Sequence, residues 1–119
     1  MLVYGFIGDK SGFLEIENSL QVKQKFVGGR IDVIRLTEEI DLIVNDEYLL
    51  NGSGLRLIIF QNDEISNIVM GDCFVCRNDS KGNFTDIKRE DISILQDYLL
   101  HIDCDELKIL AALYLYSMQ

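Results

Sequence analysis

The feature that most constrains this fold is an apolar segment interrupted by two glycines. Residues 26–36 have the sequence Phe-Val-Gly-Gly-Arg-Ile-Asp-Val-Ile-Arg-Leu. Glycine adopts the left-handed backbone conformation without steric cost, so Gly28 suits the position that follows a helix C-terminus. Gly29 then lets the backbone turn sharply into an apolar segment that is typical of a strand. The segment predicts a helix that ends near Val27 and a strand from Arg30 to Leu36.

Short apolar segments between turn-forming residues predict further strands. These strands cover residues 2–7, 13–16, 40–44, 55–60 and 73–76, with residues 65–69 open between a strand and a turn. Residues 8–12, Gly-Asp-Lys-Ser-Gly, are expected to connect the first hairpin. Asn18 is expected to cap the helix, with Gln21 as the reciprocal partner in a capping box. Asn51-Gly52 predicts a tight turn.

The last third of the chain has helical spacing. Ile92, Leu95, Leu99 and Ile102 form one apolar stripe, which predicts a helix over this segment. A second helix is predicted to start at Asp103, where Glu106 would complete a capping box. From Leu107 onward it is apolar nearly all round, so it must be buried on more than one side, within the core or against a partner.

These elements predict an α+β fold. We expect a mainly antiparallel sheet of about five to seven short strands, one helix after the first hairpin, and two C-terminal helices packed on the sheet. A chain of 119 residues forms one domain, 1–119, with a sheet-rich part (1–85) and a helical pair (86–119). The expected core is Ile31, Val33, Leu42, Val44, Leu57, Ile59, Phe74, Leu95, Leu99, Leu110 and Leu113.

Charge and cysteine usage exclude several classes of function. The net charge of −9 repels phosphate, so direct binding of nucleic acid through a basic face is disfavoured. The acidic residues occur as scattered pairs, which is typical of solvated surfaces. Leu2–Ile7 is too short for the apolar part of a signal peptide, and Ile109–Tyr116 is too short to span a bilayer. With three cysteines, we expect a cytoplasmic protein with free thiols and no membrane partner.

A possible zinc set consists of Cys73, Cys76, His101 and Cys104, in the pattern C-x2-C and H-x2-C. The Phe-Val pair between the first two cysteines favours a strand, in which residues three apart point to opposite faces. The two sulfur atoms would then diverge, and buried free cysteines are common. We therefore expect no metal ion and no cofactor. His101 is the only histidine, and no nucleophile motif surrounds it, so no catalytic residue is predicted.

The order of several short motifs carries more information than any one of them. They are Val27-Gly28-Gly29, Ile31-Asp-Val, Leu42 to Glu47, Asn51-Gly52, Ile68 to Asp72 with Phe74-Val75, and Phe84-Thr85 followed by Glu90-Asp91-Ile92. Over about residues 13–96 this order resembles a family of small domains of unknown function from phages, conjugative elements and other mobile DNA, mainly of Firmicutes. The chain departs from the family pattern at residues 45–48 and 52–55. The resemblance implies a mobile-element context and no particular activity.

We expect a non-enzymatic protein-interaction module of a phage or mobile element, with a protein partner of unknown identity. The apolar last helix is the expected interface, with Ile109, Leu113 and Tyr116 in a homodimer. One alternative is an acidic inhibitor that mimics nucleic acid and binds a host defence or DNA-binding protein. A second alternative is a small metal-binding protein built on the cysteine and histidine set.

Overall fold

The part of the chain that the structure describes folds into two antiparallel sheets and two short helices. The structure is a computed structural model that describes residues 1–48 and 54–102. Within these residues the elements are β1 (Leu2–Ile7), β2 (Lys10–Glu15), α1 (Leu20–Val27), β3 (Ile31–Arg35), β4 (Ile40–Asn45), β5 (Leu55–Gln61), β6 (Glu64–Met70), β7 (Cys73–Asn78), β8 (Phe84–Thr85), α2 (Asp91–Tyr98) and β9 (Leu99–His101). One sheet has the order β2-β1-β7-β4-β3, with β8 paired to β7, and the other has the order β6-β5-β9.

The six-stranded sheet is the central layer of the molecule. Strand β4 is buried along its whole length, so both faces of the sheet are covered there. Leu42 and Val44 pack with Leu57 of the smaller sheet in the largest core cluster. Ile43 points the other way and packs with Val27 of α1. Because successive side chains of a strand point to opposite faces, β4 contributes residues both to the core beneath α1 and to the core between the two sheets.

Helix α1 ends at the first of the two glycines. Gly28 has φ 82°, in the left-handed region, and its N–H donates to the Gln24 carbonyl, as the sequence predicts. The predicted N-cap is wrong, because Ser19, one residue later than Asn18, accepts the hydrogen bond from the Val22 N–H. The Asn18 side chain accepts instead from the Lys23 ammonium group.

The predicted fold class is wrong in its strand count and in its C-terminal helices. The described residues contain nine strands in two sheets instead of a single sheet of five to seven. Helix α2 ends at Tyr98, where the sequence predicts a helix that continues to Ile102. The chain then forms β9, in which Leu99 and His101 pair with β5. Pairing with a sheet outweighs helical spacing here, and the second predicted helix lies outside the described residues.

The first hairpin differs from its predicted form. Ile7 pairs with Lys10, so the connection has only two residues and β2 includes Gly12. Of the predicted core, Leu42, Val44, Leu57, Ile59, Phe74 and Leu95 are buried, Ile31 and Leu99 are partly buried, and Leu110 and Leu113 lie outside the described residues. Val33 is 39% exposed because β3 is an edge strand of the sheet.

Candidate interaction surface

Strand β2 is one edge of the six-stranded sheet. Met1 and Ile16 exchange two backbone hydrogen bonds. This pair establishes which residues of β2 direct their backbone groups toward β1 and which direct them outward. In an antiparallel pair, residues between the hydrogen-bonded ones direct their N–H and C=O groups outward. These residues are Ser11, Phe13 and Glu15. Within the described part of the chain, none of their N–H groups has a partner. We call these outward groups the β2 edge.

An apolar groove lies beside the β2 edge, on the face of the sheet that carries α1. It has a volume of about 260 Å³ and is lined by Gly5, Ile7, Lys10, Ser11, Gly12 and Leu14. Ile7 and Leu14 are 44% and 36% exposed, so both contribute apolar surface to the groove. The groove exists because Gly5 and Gly12 face each other across the hairpin without side chains.

The two glycines of the groove differ in what the fold requires. A Cβ atom at Gly5 would lie 2.9 Å from Leu14 Cδ1 and 3.1 Å from Phe26 Cζ, so internal packing requires a glycine there. A Cβ atom at Gly12 would meet nothing within 4 Å among the described residues, and Gly12 does not have a positive φ. A glycine within a strand weakens it and often marks a place where another backbone or a ligand approaches closely. Nothing within the described chain accounts for Gly12.

On the opposite face of β2, side-chain contacts fix the position of the strand. The Phe13 ring packs edge-to-face against Tyr4, with ring centroids 5.2 Å apart. The Arg89 guanidinium lies 5.0 Å from the centre of the same ring. At the end of the strand, the Glu15 carboxylate accepts a hydrogen bond from the amino group of Met1 at 3.3 Å. The β2 edge is therefore part of a packed hairpin and presents its backbone groups in fixed positions.

Strand β3, the edge at the far end of the same sheet, is partly blocked. By the same alternation, Ile31, Val33 and Arg35 direct their backbone groups outward. The carboxylate of Asp32 accepts a hydrogen bond from the Val33 N–H at 2.8 Å, which occupies the central outward donor. The Arg35 side chain is 66% exposed and lies 3.5 Å from Asp41. Charged side chains on an edge strand oppose pairing with another strand.

The cysteine and histidine set is not assembled within the described residues. Cys73 lies in the inter-sheet core and Cys76 in the core beneath α1, on opposite faces of β7. Burial raises the pKa of both thiols, that of Cys76 to about 12, so both are protonated at neutral pH. Cys104 lies outside the described residues, within which no group of three or more histidine, cysteine or acidic side chains could hold a metal ion.

His101 lies between the two sheets, beside a second cavity of about 160 Å³. Its Nε2 atom is 3.0 Å from the Gly8 carbonyl oxygen, and its ring packs edge-to-face on Phe6. Among the described residues that line the cavity, Tyr4 is the other titratable side chain, and its hydroxyl donates to Ser11. These contacts explain how the first hairpin is anchored to β9, and they contain no pair of ionisable groups arranged for acid–base catalysis.

An ion-pair cluster fixes α2 to the central sheet. The guanidinium of Arg77 donates two hydrogen bonds to Asp91, at 2.7 and 2.6 Å, and one to Glu39 at 2.6 Å. Asp91 also accepts from the Lys88 N–H at 2.9 Å. The hydrogen bonds from Arg77 lower the pKa of Asp91, and the pKa of Arg77 is raised in turn. Asp91 and Arg77 thus have a structural role at the start of α2.

The predicted interface residues Ile109, Leu113 and Tyr116 lie outside the described residues. Sequence reasoning missed the β2 edge because it placed Gly12 in the hairpin connection. The signal was present, since a two-residue connection at Gly8-Asp9 is a favoured hairpin turn and extends the second strand back to Lys10.

In the part of the chain that the structure describes, the fold is a small antiparallel-sheet protein whose β2 edge lies beside an apolar groove. The chain belongs to the family described as Domain of unknown function (DUF3846), whose profile matches residues 8–100. The resemblance to a domain of unknown function is confirmed at this level. Searches of curated proteins and of solved structures give no match. Among the described residues, neither helix has the length and apolar character needed to cross a bilayer.

Proposed function

We propose that this protein is a non-enzymatic protein-interaction module that acts through the β2 edge. One observation carries this proposal: three outward backbone N–H groups without partners in the described chain stand beside an apolar groove. The motif order supports a module encoded by a phage or other mobile element. The buried free thiols Cys73 and Cys76 support action in a bacterial cytoplasm.

The physical basis of this function is strand addition to a sheet. An extended segment placed along β2 exchanges main-chain hydrogen bonds with Ser11, Phe13 and Glu15, and these bonds provide affinity. The segment's residue opposite Gly12 directs its side chain to the face that carries the groove. An apolar side chain at that position becomes buried between Ile7 and Leu14, which provides specificity.

An acidic inhibitor of a nucleic-acid-binding protein is the alternative function, supported by the net charge of −9. Several described carboxylates already have cationic partners, among them Asp46 with Arg30, Asp72 with Arg56, and Asp91 with Arg77. The two functions differ in their response to salt, because added salt weakens the binding of an acidic surface to a basic protein.

Matched lysine substitutions on the two edges test the proposal. Gly12→Lys and Val33→Lys each add one positive charge to an edge strand, and both positions lie on the α1 face of the sheet. The immobilised full-length chain is exposed to a bacterial lysate supplemented with the same soluble chain, and bound proteins are identified by mass spectrometry. We expect Gly12→Lys to abolish specific binding and Val33→Lys to preserve it. Equal binding by both variants, or no bound protein with the unsubstituted chain, would overturn the proposal.

A further inference from the structure

We infer that the occupant of the β2 edge is a second copy of this chain, paired antiparallel along β2 around a two-fold axis at Phe13. This inference rests on the proposed function and names its partner. Three features of β2 favour a second copy: its outward hydrogen-bonding groups, the vacant space at Gly12, and its own sequence. A two-fold interface requires a surface that is complementary to itself, and β2 meets that requirement.

Backbone geometry leaves two registers for this pairing. Outward groups must meet outward groups, so each hydrogen-bonded pair joins two members of the set Ser11, Phe13 and Glu15. Strand β2 spans Lys10–Glu15, and two such registers keep five of its residues paired. In one register the axis passes through Gly12, and residues 10–14 are paired. In the other the axis passes through Phe13, and residues 11–15 are paired.

Side chains on the groove face select the register centred on Phe13. It places Leu14 of each copy directly opposite Gly12 of the other, in a non-hydrogen-bonded pair with Cα atoms about 4.5 Å apart. Each exposed Leu14 then enters the space beside the other copy's Gly12, so the dimer contains two equivalent Leu14–Gly12 contacts. The register centred on Gly12 instead sets the two vacant glycines opposite each other and places each Leu14 opposite Lys10 of the other copy, so Leu14 does not enter the space at Gly12.

The other face of β2 is complementary in the same register. Ser11 of each copy stands opposite Glu15 of the other, where the hydroxyl group can donate to the carboxylate. The two Phe13 rings meet at the axis and extend the aromatic cluster that Tyr4 begins. Two copies together carry twice the net charge of −9, so long-range repulsion opposes the dimer and added salt favours it.

Sedimentation velocity over a concentration series, with the full chain, tests whether the copies pair through this edge. We expect a monomer–dimer equilibrium for the unsubstituted chain and at least a tenfold weaker association for Gly12→Val, whose side chain occupies the space that Leu14 needs. Gly12→Val is expected to fold because a Cβ atom there meets no described residue within 4 Å, and circular dichroism checks this. A monomer at every concentration, or an undiminished dimer in Gly12→Val, would overturn the inference.

Disulfide trapping tests the register. Gly12→Cys and Leu14→Cys chains are mixed and oxidised with copper phenanthroline, and the products are identified by mass spectrometry. A non-hydrogen-bonded pair has the Cα separation that a disulfide requires. We expect the two introduced thiols, one on each variant chain, to form an intermolecular disulfide in the mixture. The yield of disulfide-linked dimer should be at least fivefold higher in the mixture than with either variant alone. The unsubstituted chain, oxidised in the same way, is the control for disulfides formed by the native Cys73, Cys76 and Cys104.

The outcomes separate this inference from the proposed function. If Gly12→Cys alone forms the main dimer, the copies pair in the other register and the inference is wrong. If the chain is monomeric while Gly12→Lys still removes bound host proteins, the β2 edge serves another protein; the proposed function then stands and self-pairing is excluded. If neither binding nor self-association responds to Gly12, both fail.

Discussion

The two edge strands of the central sheet, β2 and β3, differ in whether side chains bind their outward backbone N–H groups. On β3, the side chain of Asp32 accepts a hydrogen bond from the central outward N–H, that of Val33. On β2, all three outward N–H groups lack a partner within the described residues. Both edges belong to one sheet and are similar in length, at five and six residues. An unblocked edge is therefore a property of β2 and is not imposed by the fold.

The open edge also carries a stability cost that the blocked edge lacks. A glycine within a strand is less stable than alanine by about 0.5–1 kcal/mol. Gly12 bears this cost although its backbone conformation and its surroundings allow a side chain. Proteins generally protect exposed edges with charges or bulges, because unpaired edges promote association. The charged residues of β2, Lys10 and Glu15, lie at its two ends, and its outward N–H groups have no partner within the described residues, which supports the proposed partner there.

The largest expected effect concerns neither edge directly and tests the ion-pair cluster around Arg77, which fixes α2 to the sheet that both edges share. Replacing Asp91, whose side chain is 1% exposed, by alanine leaves the Arg77 guanidinium without its main partner. We expect the free energy of unfolding in urea to fall by about 3–5 kcal/mol. Glu39→Ala removes the 69% exposed partner of the same guanidinium and should cost about 0–1 kcal/mol. Equal losses in both variants would contradict this assignment.

The same contact predicts how stability depends on pH. Because Arg77 lowers the pKa of Asp91 in the folded state, the contribution of Asp91 is fully present above its ordinary pKa near 3.8. It is lost as the pH falls from there through the lowered value. We expect Asp91→Asn to show a smaller decrease in melting temperature than the unsubstituted chain between pH 5 and pH 2.5. Parallel curves for the two proteins would show that Asp91 has no shifted pKa.

Removing the blocking carboxylate should make the two edges more alike. Asp32→Ala frees the Val33 N–H and removes a charge from β3, so a second open edge results. We expect this variant to form oligomers larger than a dimer at high concentration, with a stability change of about 1 kcal/mol or less. Light scattering measures the oligomers, and Asp32→Asn, which keeps an acceptor oxygen, serves as the control. If Asp32→Ala forms no larger species, Asp32 does not protect β3.

Gly12→Val should stabilise the monomer while it weakens pairing. Valine has a high preference for strands, and the site has room for its side chain, so the monomer should gain about 0.5–1 kcal/mol. Thermal unfolding at low micromolar concentration measures this. Gly5→Val is the matched control and should destabilise, because Leu14 and Phe26 occupy the space. A lower melting temperature in Gly12→Val would mean that the fold itself requires Gly12.

Salt should produce the smallest effect, with a sign that distinguishes the two proposed functions. The Debye length falls from about 10 Å at 0.1 M to about 3 Å at 1 M salt, which screens the repulsion between two chains of charge −9. We expect dimer affinity to rise a few-fold between these concentrations in sedimentation experiments. Association with a basic partner that weakens steeply with salt would favour the acidic-inhibitor alternative.

Local patterns predicted those parts of the fold in which neighbouring residues decide the structure. The C-terminus of α1 follows from Gly28, and the strand β4 follows from the short apolar segment that starts at Ile40. The segment from Leu99 to Ile102 was assigned wrongly because its spacing also fits a helix. Its structure depends on pairing with β5, which is distant in the sequence.

The β2 edge and its groove could not be predicted from residue patterns for a similar reason. Whether a strand lies at an edge depends on the order of the strands in the sheet, which sequence spacing does not reveal. Gly12 resembles an ordinary turn residue until its neighbours are known. The sequence did predict that Cys73 and Cys76 would point apart, because their intervening residues favour a strand.

Amide hydrogen exchange, followed by NMR across a concentration series, tests the contrast between the edges most directly. We predict that the N–H groups of Ser11, Phe13 and Glu15 become slower to exchange as concentration rises, because a second copy bonds to β2. Outward N–H groups on β3, at Ile31 and Arg35, should exchange at a constant rate. Concentration-independent exchange at all three β2 positions, or increased protection on β3, would contradict the account.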